Sequence, residues 1–179
     1  MMYTIAVDVD DVVLDLMPKW LEHYNLDFND NLKPKQITDW DITKFVKPEA
    51  KDKIYNYIHN KEVFEESKQV TSAWAGLSYI RLMKHRVIFV TANNPQNVKY
   101  NWLIENAFIT RTEDFVVAKD KSLIFADYMI DDSYANVKSF CGERAWLMNK
   151  PWNMKYDWNY RVNNWSEIIT HLASRSFFE

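Results

Sequence analysis

Glycine is nearly missing from this chain: only Gly76 and Gly142 occur in 179 residues. That scarcity argues against a glycine-rich phosphate loop of the Walker or dinucleotide-binding type, where glycine lets backbone approach the phosphates. Any phosphate held here must be held by side chains and helix N-termini. Cysteine is equally scarce, with Cys141 alone. No disulfide framework is available, and a reducing, cytoplasmic setting is expected. Basic charge is not in excess: 22 Lys and Arg face 25 Asp and Glu, for a formal net charge of −3. The chain therefore carries no electrostatic footprint for long nucleic acid. No apolar run reaches membrane-spanning length. The opening Met-Met-Tyr-Thr has no basic segment ahead of an apolar stretch, so no secretory leader is expected. His23, His59, His85 and His171 show no metal-ligand spacing.

What is plentiful is aromatic side chains, 16% of residues with eight tryptophans, and short apolar runs separated by amphipathic stretches. Runs at 4–9, 86–91, 114–118, 128–131 and 145–148 read as strands. Most are apolar throughout rather than alternating, the pattern of strands covered on both faces. After the first run, Val13, Leu16, Met17, Trp20, Leu21 and Tyr24 recur at helical spacing. Pro95 is suited to open a helix carrying Val98, Trp102 and Leu103, and 166–172 reads as a closing helix. The alternation predicts an α/β fold with a mostly parallel sheet. About 75 residues separate Asp10 from the second strand, whereas a crossover needs only a dozen or more. Helices near 49–60 and 73–84 fall in this stretch. Residues 24–72 are expected to form a small helical cap over the strand ends, with 1–23 and 73–179 as the core. Trp152, Tyr156, Trp158, Tyr160 and Trp165 fit either packing under the sheet edge or a rim near the site, and packing is the expectation.

The chemistry concentrates where strands end. The first strand runs into Asp8, Asp10 and Asp11. Buried carboxylates are expensive unless paired or bound to a cation. Asp8 and Asp10, two apart, point to one face of an extended segment. A strand-to-helix turn with an aspartate cap accounts for one of the three, and Asp11 is the candidate. The second strand ends in Thr91, followed by Ala92 and two asparagines. Lys119 and Lys121 follow the third, and the fourth ends in Asp131-Asp132. Singly, each has a bland explanation as a helix cap, solvated lysine or turn aspartate. Together they lie at the carboxyl ends of successive strands, where an open α/β sheet places its ligand. Carboxylates from two strands suit Mg²⁺, a hard cation that prefers oxygen. A hydroxyl and an ammonium suit phosphate oxygens. One carboxylate can act as nucleophile and another as acid and base.

This set resembles the haloacid dehalogenase (HAD) superfamily of phosphotransferases across nearly the whole chain. Asp8-Val-Asp10 matches its Asp-x-Asp motif, Thr91 its second motif, and Asp131-Asp132 its acidic fourth motif. Within that superfamily the chain is most similar to 5′(3′)-deoxyribonucleotidases. The stretch Asp120-Lys-Ser-Leu-Ile-Phe-Ala-Asp-Tyr-Met-Ile-Asp-Asp132 looks like that family's corresponding segment and selects Lys121 as the motif lysine. A small helical cap after Asp-x-Asp and a tryptophan-containing final helix, here Asn164-Trp-Ser-Glu-Ile-Ile169, also fit the family.

The resemblance implies a three-layer, Rossmann-like core and a Mg²⁺-dependent phosphomonoesterase working through an aspartyl-phosphate. Asp8 would be the nucleophile and Asp10 the general acid and base. Asp8, the Asp10 carbonyl and Asp132 would hold Mg²⁺, with Asp131 supporting. Thr91, Ala92 and Lys121 would bind phosphate, and Leu16, Trp40, Ile42 and Phe64 would wall the base. The implied partner is a small nucleotide, and a homodimer is left open. Two departures stand out. Asp11 occupies a position where the family commonly has glycine, and Thr71-Ser-Ala-Trp-Ala-Gly76 replaces a Pro-Gly-containing stretch. Two other readings stay open: a HAD phosphatase for a sugar phosphate, phosphoglycolate-type or polynucleotide 3′-phosphate substrate, and a non-catalytic nucleotide-binding protein of the same fold.

Overall fold

Apolar runs that need cover on both faces have one stable arrangement, a sheet between two helical layers. The computed structural model, which describes residues 2–92, 96–109 and 111–176, has that arrangement. Strand β1 (Thr4–Asp8) is followed by a short strand β2 (Leu14–Asp15) and helix α1 (Leu16–Phe28). Three 3₁₀ segments, Pro34–Gln36, Ile42–Lys44 and Lys51–His59, lead to α2 (Lys61–Glu65) and strand β3 (Lys68–Gln69). Then come α3 (Ala73–Leu82), β4 (Arg86–Thr91), α4 (Gln96–Glu105), β5 (Phe115–Val117), β6 (Tyr128–Asp131), α5 (Tyr134–Ser139), β7 (Arg144–Met148), β8 (Arg161–Val162) and α6 (Trp165–Ser176).

The main sheet has the order β5-β4-β1-β6-β7-β8, and every neighbouring pair is parallel. The chain adds β4 and β5 on one side of β1, then returns to add β6, β7 and β8 on the other. Strand order thus reverses around β1, the switch point beyond which ligands bind in such sheets. Asp8, Thr91 and Asp131 end the three central strands on this edge. Successive strand residues serve opposite layers. Ile5, Val7, Phe89, Ile130 and Trp146 pack in one apolar cluster with residues of α3, α4 and α6, while Ala6, Val90, Met129 and Leu147 pack in a second with Val137 of α5.

The five strand runs are found within a residue or two of their expected bounds. The first helix differs: it begins at Leu16, not near Val13. Val12 and Val13 instead form a tight turn in which the Val13 and Leu14 N–H groups donate to the Val9 carbonyl. The segment near 49–60 is 3₁₀ rather than α-helical. Strands β2, β3 and β8, of two residues each, are too short to leave a periodic signal. Pro95 and the two asparagines before it lie outside the described residues.

The inserted segment shares the main core. Met17, Trp20, Leu21 and Tyr24 of α1 pack with Ile54, Tyr57, Val63 and Phe64 in the first cluster. The Trp20 indole donates to the Ile54 carbonyl at 2.8 Å. The segment leaves and rejoins the core through the antiparallel pair β2–β3, with the Val70 N–H donating to the Val13 carbonyl at 2.7 Å.

One of the scarce glycines has a packing reason. A Cβ on Gly76 in α3 would stand 2.7 Å from Cε3 of the fully buried Trp165, inside van der Waals contact. Only a residue without Cβ lets α3 approach α6 this closely. Gly76→Ala is expected to destabilise the protein by about 1–3 kcal/mol through overpacking, measured by urea unfolding.

Candidate active site

The site is built where β1, β4 and β6 end. Asp8 closes β1, and Asp131 closes β6 beside it. Between them lies the Lys121 ammonium, 2.5 Å from Asp8 Oδ1 and 2.8 Å from Asp131 Oδ2. Lys121 sits in a short 3₁₀ turn whose start is fixed by Asp120, whose carboxylate accepts from the Ser122 N–H at 3.0 Å. Asp131 also accepts from the Ser133 N–H at 2.8 Å and from the Asn136 amide. Its neighbour Asp132 accepts from the Trp152 indole at 2.8 Å, while the Asn153 amide donates to the Asp132 carbonyl.

Carboxylate oxygens of Asp8, Asp131 and Asp132 come within 4.8 Å of one another. Burial, with the Asp8 charge adding, pushes Asp131 up to about 6 against the pull of Lys121. Burial and the charges of Asp8 and Asp131 push Asp132 well above the ordinary carboxylate range. For Lys121, burial alone would favour the neutral amine, but Asp131 and Asp8 outweigh it and hold the ammonium above its usual range. Three crowded, largely desolvated oxygen donors are what a hard divalent cation such as Mg²⁺ requires, so the residues present fit that ion.

Asp10 lies just beyond β1. Its Oδ2 accepts from the Lys99 ammonium at 2.5 Å, while Oδ1 is buried and has no hydrogen-bond partner among the described residues. Burial raises its pKa, the Asp8 charge adds to the rise, and Lys99 opposes it. The same ammonium donates to Thr91 Oγ1 at 2.9 Å.

Asp11 caps α1, though not from the N-cap position. Asp15 occupies that position without a side-chain cap, and Asp11 Oδ1 reaches over the turn to accept from the Met17 N–H at 3.0 Å. Asp11 has φ 55°, in the left-handed region that glycine enters freely and aspartate tolerates. The departure from glycine is thus conformationally permitted and supplies a cap. Burial pushes the Asp11 carboxyl up to about 7.

These groups floor a cavity of about 230 Å³, a volume suited to a small molecule rather than a polymer. Asp8, Asp10, Asp11, Lys99, Lys121 and Asp132 line its polar end, with Ala92 and Asn136 beside them. Leu16, Met17, Trp20, Ile37, Ile42 and Ile58 form an apolar wall, and Asp39, Trp40 and Tyr55 complete it. Among the residues expected to wall the base, Leu16, Trp40 and Ile42 are in the lining. Phe64 is not: it is fully buried, with its ring centroid 5.5 Å from the Lys99 ammonium. Thr91 is buried behind the floor and reaches Asp10 through Lys99.

Two residues at this site were not anticipated from sequence. For Trp152 the sequence favours packing over a place on the rim of the site, yet its indole donates to Asp132. Nothing local distinguishes it from its aromatic neighbours. Lys99 carried a readable signal: with Trp102 and Leu103 it falls at i, i+3 and i+4, on the buried face of its helix.

The fold is shared with solved HAD hydrolases. A HAD family hydrolase from Deinococcus radiodurans R1, solved with bound phosphate and sodium, superposes with a TM-score of 0.65 at 10% identity, covering 97% of this chain and 96% of that one. A HAD hydrolase from Bacillus subtilis bound to magnesium gives 0.58 at 15% identity, covering 96% and 98%. At the sequence level, the family model described as 5′ nucleotidase, deoxy (pyrimidine), cytosolic type C protein matches residues 1–177. A 5′(3′)-deoxyribonucleotidase from Bacillus subtilis (strain 168) is 32% identical over 174 residues, 92% of this chain and 95% of that protein. Another from Clostridium acetobutylicum is 27% identical over 142 residues, 79% of each. The chain therefore has the α/β architecture of HAD hydrolases. It belongs to the 5′-nucleotidase, deoxy (pyrimidine), cytosolic type C family, hydrolases of phosphoric monoesters.

The cap formed by Asp11 can be tested by substitution. Asp11→Ala, which loses the acceptor and is strained at positive φ, is expected to destabilise the protein by about 2 kcal/mol. Asp11→Asn, which keeps an acceptor and tolerates the conformation, is expected to be at least as stable as the parent. Chemical denaturation at neutral pH separates the two.

Proposed function

We propose that this protein is a Mg²⁺-dependent 5′(3′)-deoxyribonucleotidase that hydrolyses small deoxyribonucleoside monophosphates. The observation that supports it best is the convergence of Asp8, Lys121 and the Asp131-Asp132 pair beneath an apolar, aromatic wall. Charged groups at one end suit a phosphate, and flat apolar groups at the other suit a base. Residues 24–72 act as a small cap that supplies much of that wall. The single cysteine suits a cytoplasmic location, and the cavity suits a free nucleotide rather than a long nucleic acid.

Asp8, Asp131, Asp132 and the Asp10 carbonyl would hold Mg²⁺, which when bound neutralises the crowded oxygens of protein and phosphate. Asp8 attacks phosphorus as the bond to the leaving nucleoside oxygen breaks, giving an aspartyl-phosphate. Asp10 gives its proton to that oxygen. A water molecule then attacks the same phosphorus, and Asp10 takes the water's proton as the bond to Asp8 breaks. Lys121 keeps Asp8 aimed from β1 and compensates charge throughout. Thr91, the Ala92 backbone and Lys121 steady the phosphate oxygens.

Asp8→Asn is expected to lower phosphate release from a deoxyribonucleoside monophosphate by at least about 10³-fold, as losses of a nucleophile do, and EDTA is expected to abolish it reversibly. Full turnover in Asp8→Asn would remove the nucleophile assignment. Equal kcat/KM for deoxyribonucleoside monophosphates and simple sugar phosphates would remove the nucleotide assignment. Trp40→Ala is expected to raise KM for a nucleotide about tenfold with kcat nearly unchanged, the size of one lost stacking contact.

A further inference from the structure

We propose that Lys99 is a positioning residue that holds the proton-shuttling carboxylate of Asp10 in register with the phosphate-anchoring hydroxyl of Thr91. This inference rests on the phosphatase reading above and extends it to a residue outside the motif set. The Lys99 ammonium is buried, with 1% of its side chain exposed, and reaches Asp10 Oδ2 at 2.5 Å and Thr91 Oγ1 at 2.9 Å. Because Asp10 Oδ1 has no hydrogen-bond partner among the described residues, Lys99 supplies the side-chain hydrogen bond they offer to orient this carboxylate. A general acid has to sit within hydrogen-bond reach of the leaving oxygen, so an unheld carboxylate loses its advantage even when it carries the proton.

The chemistry of the ammonium fixes more than distance. A lysine ammonium only donates. Thr91 Oγ1 must therefore accept from Lys99, which commits a lone pair and leaves its O–H as the donor available to another acceptor. One donor-only group thus sets the direction of the Thr91 hydrogen bond and the aim of Asp10. Lys99 is itself held from both sides. Its stem rises from α4, and its ammonium lies 5.5 Å from the centroid of the Phe64 ring in α2. Phe64, which does not line the cavity, gains a role here: it is the cap residue on which the positioning lysine rests.

The test separates aim from mere structure by varying the need for a proton. A nucleoside leaving group needs protonation as it departs, whereas the phenolate leaving p-nitrophenyl phosphate is stable without one. The value of kcat/KM reports formation of the aspartyl-phosphate for both esters. Lys99→Met is expected to lower kcat/KM for a deoxyribonucleoside monophosphate by about 10²-fold, the low end of a general-acid contribution, and for p-nitrophenyl phosphate by less than about tenfold. Adding Lys99→Met to Asp10→Asn is expected to cost the nucleotide reaction less than about threefold more, since both changes remove one function. Lys99→Arg, which keeps a buried cationic donor, is expected to recover part of the nucleotide rate. Circular dichroism checks folding, and if Lys99→Met does not fold, Lys99→Gln is judged by the same ratio. Equal losses on the two esters, or a full additional loss in the double variant, overturn the inference while leaving the phosphatase reading intact. A parent enzyme that hydrolyses neither ester overturns that reading, and this inference with it.

Discussion

The Lys121 ammonium, buried between Asp8 and Asp131, is the contact on which the rest of the site depends. Two carboxylates at the ends of adjacent parallel strands would repel each other in a setting of low polarity. The ammonium 2.5 Å from one and 2.8 Å from the other converts that repulsion into a bridge between β1 and β6. It also fixes which way the Asp8 carboxylate faces. The neighbouring Asp132 is left out of the bridge and is held by the Trp152 indole. Two carboxylates therefore share one ammonium, and a third beside them has an indole N–H as its partner.

The turn after β1 is anchored just as firmly, from distant parts of the chain. The Trp165 indole at the start of α6 donates to the Val12 carbonyl at 3.0 Å. The next carbonyl, Val13, accepts from Val70, where the inserted segment rejoins the core. Asp11 ties the same turn to α1 through Met17. The close approach of α3 and α6 at Gly76 belongs to this arrangement, since it seats the Trp165 ring that holds the turn. The scarcity of glycine is therefore informative in two ways. Where the chain needs close approach it keeps Gly76, and where it needs positive φ next to the acidic pair it uses Asp11, gaining a helix cap.

Much of this was legible in the sequence because it rests on local signals. Apolar runs without alternation marked strands covered on both faces, and carboxylates after two such runs marked the edge where the site lies. The excess length before β4 marked a connection longer than a simple crossover, which holds α1, α2 and α3. What was not legible depends on partners far along the chain. Nothing around Trp152 says that its indole meets Asp132, and nothing around Phe64 says that it packs beneath a lysine 35 positions later instead of facing the cavity. The start of α1 was misplaced because Val12 and Val13 continue its apolar spacing while their backbone is committed to a turn. Lys99 is intermediate: its buried helical phase could be read, but its contacts with Asp10 and Thr91 require the fold.

The charge balance of the site links substrate to cation. Five carboxyl groups, Asp8, Asp10, Asp11, Asp131 and Asp132, line or support the polar end, against two ammonium groups, Lys99 and Lys121. If all were ionised, the excess would be three negative charges (five minus two), in the place where the proposed substrate would bring its phosphate. Burial answers part of this by raising Asp10, Asp11, Asp131 and Asp132 toward the protonated form. Protons and a divalent cation are alternative ways to settle the same electrostatic problem, and they compete for the same carboxylates. On the proposed reading the same cation would offset the charge of the incoming phosphate, and cation and substrate would each favour the other's binding. A site this acidic is therefore a poor receptor for phosphate by itself and a good one once a hard cation shares it.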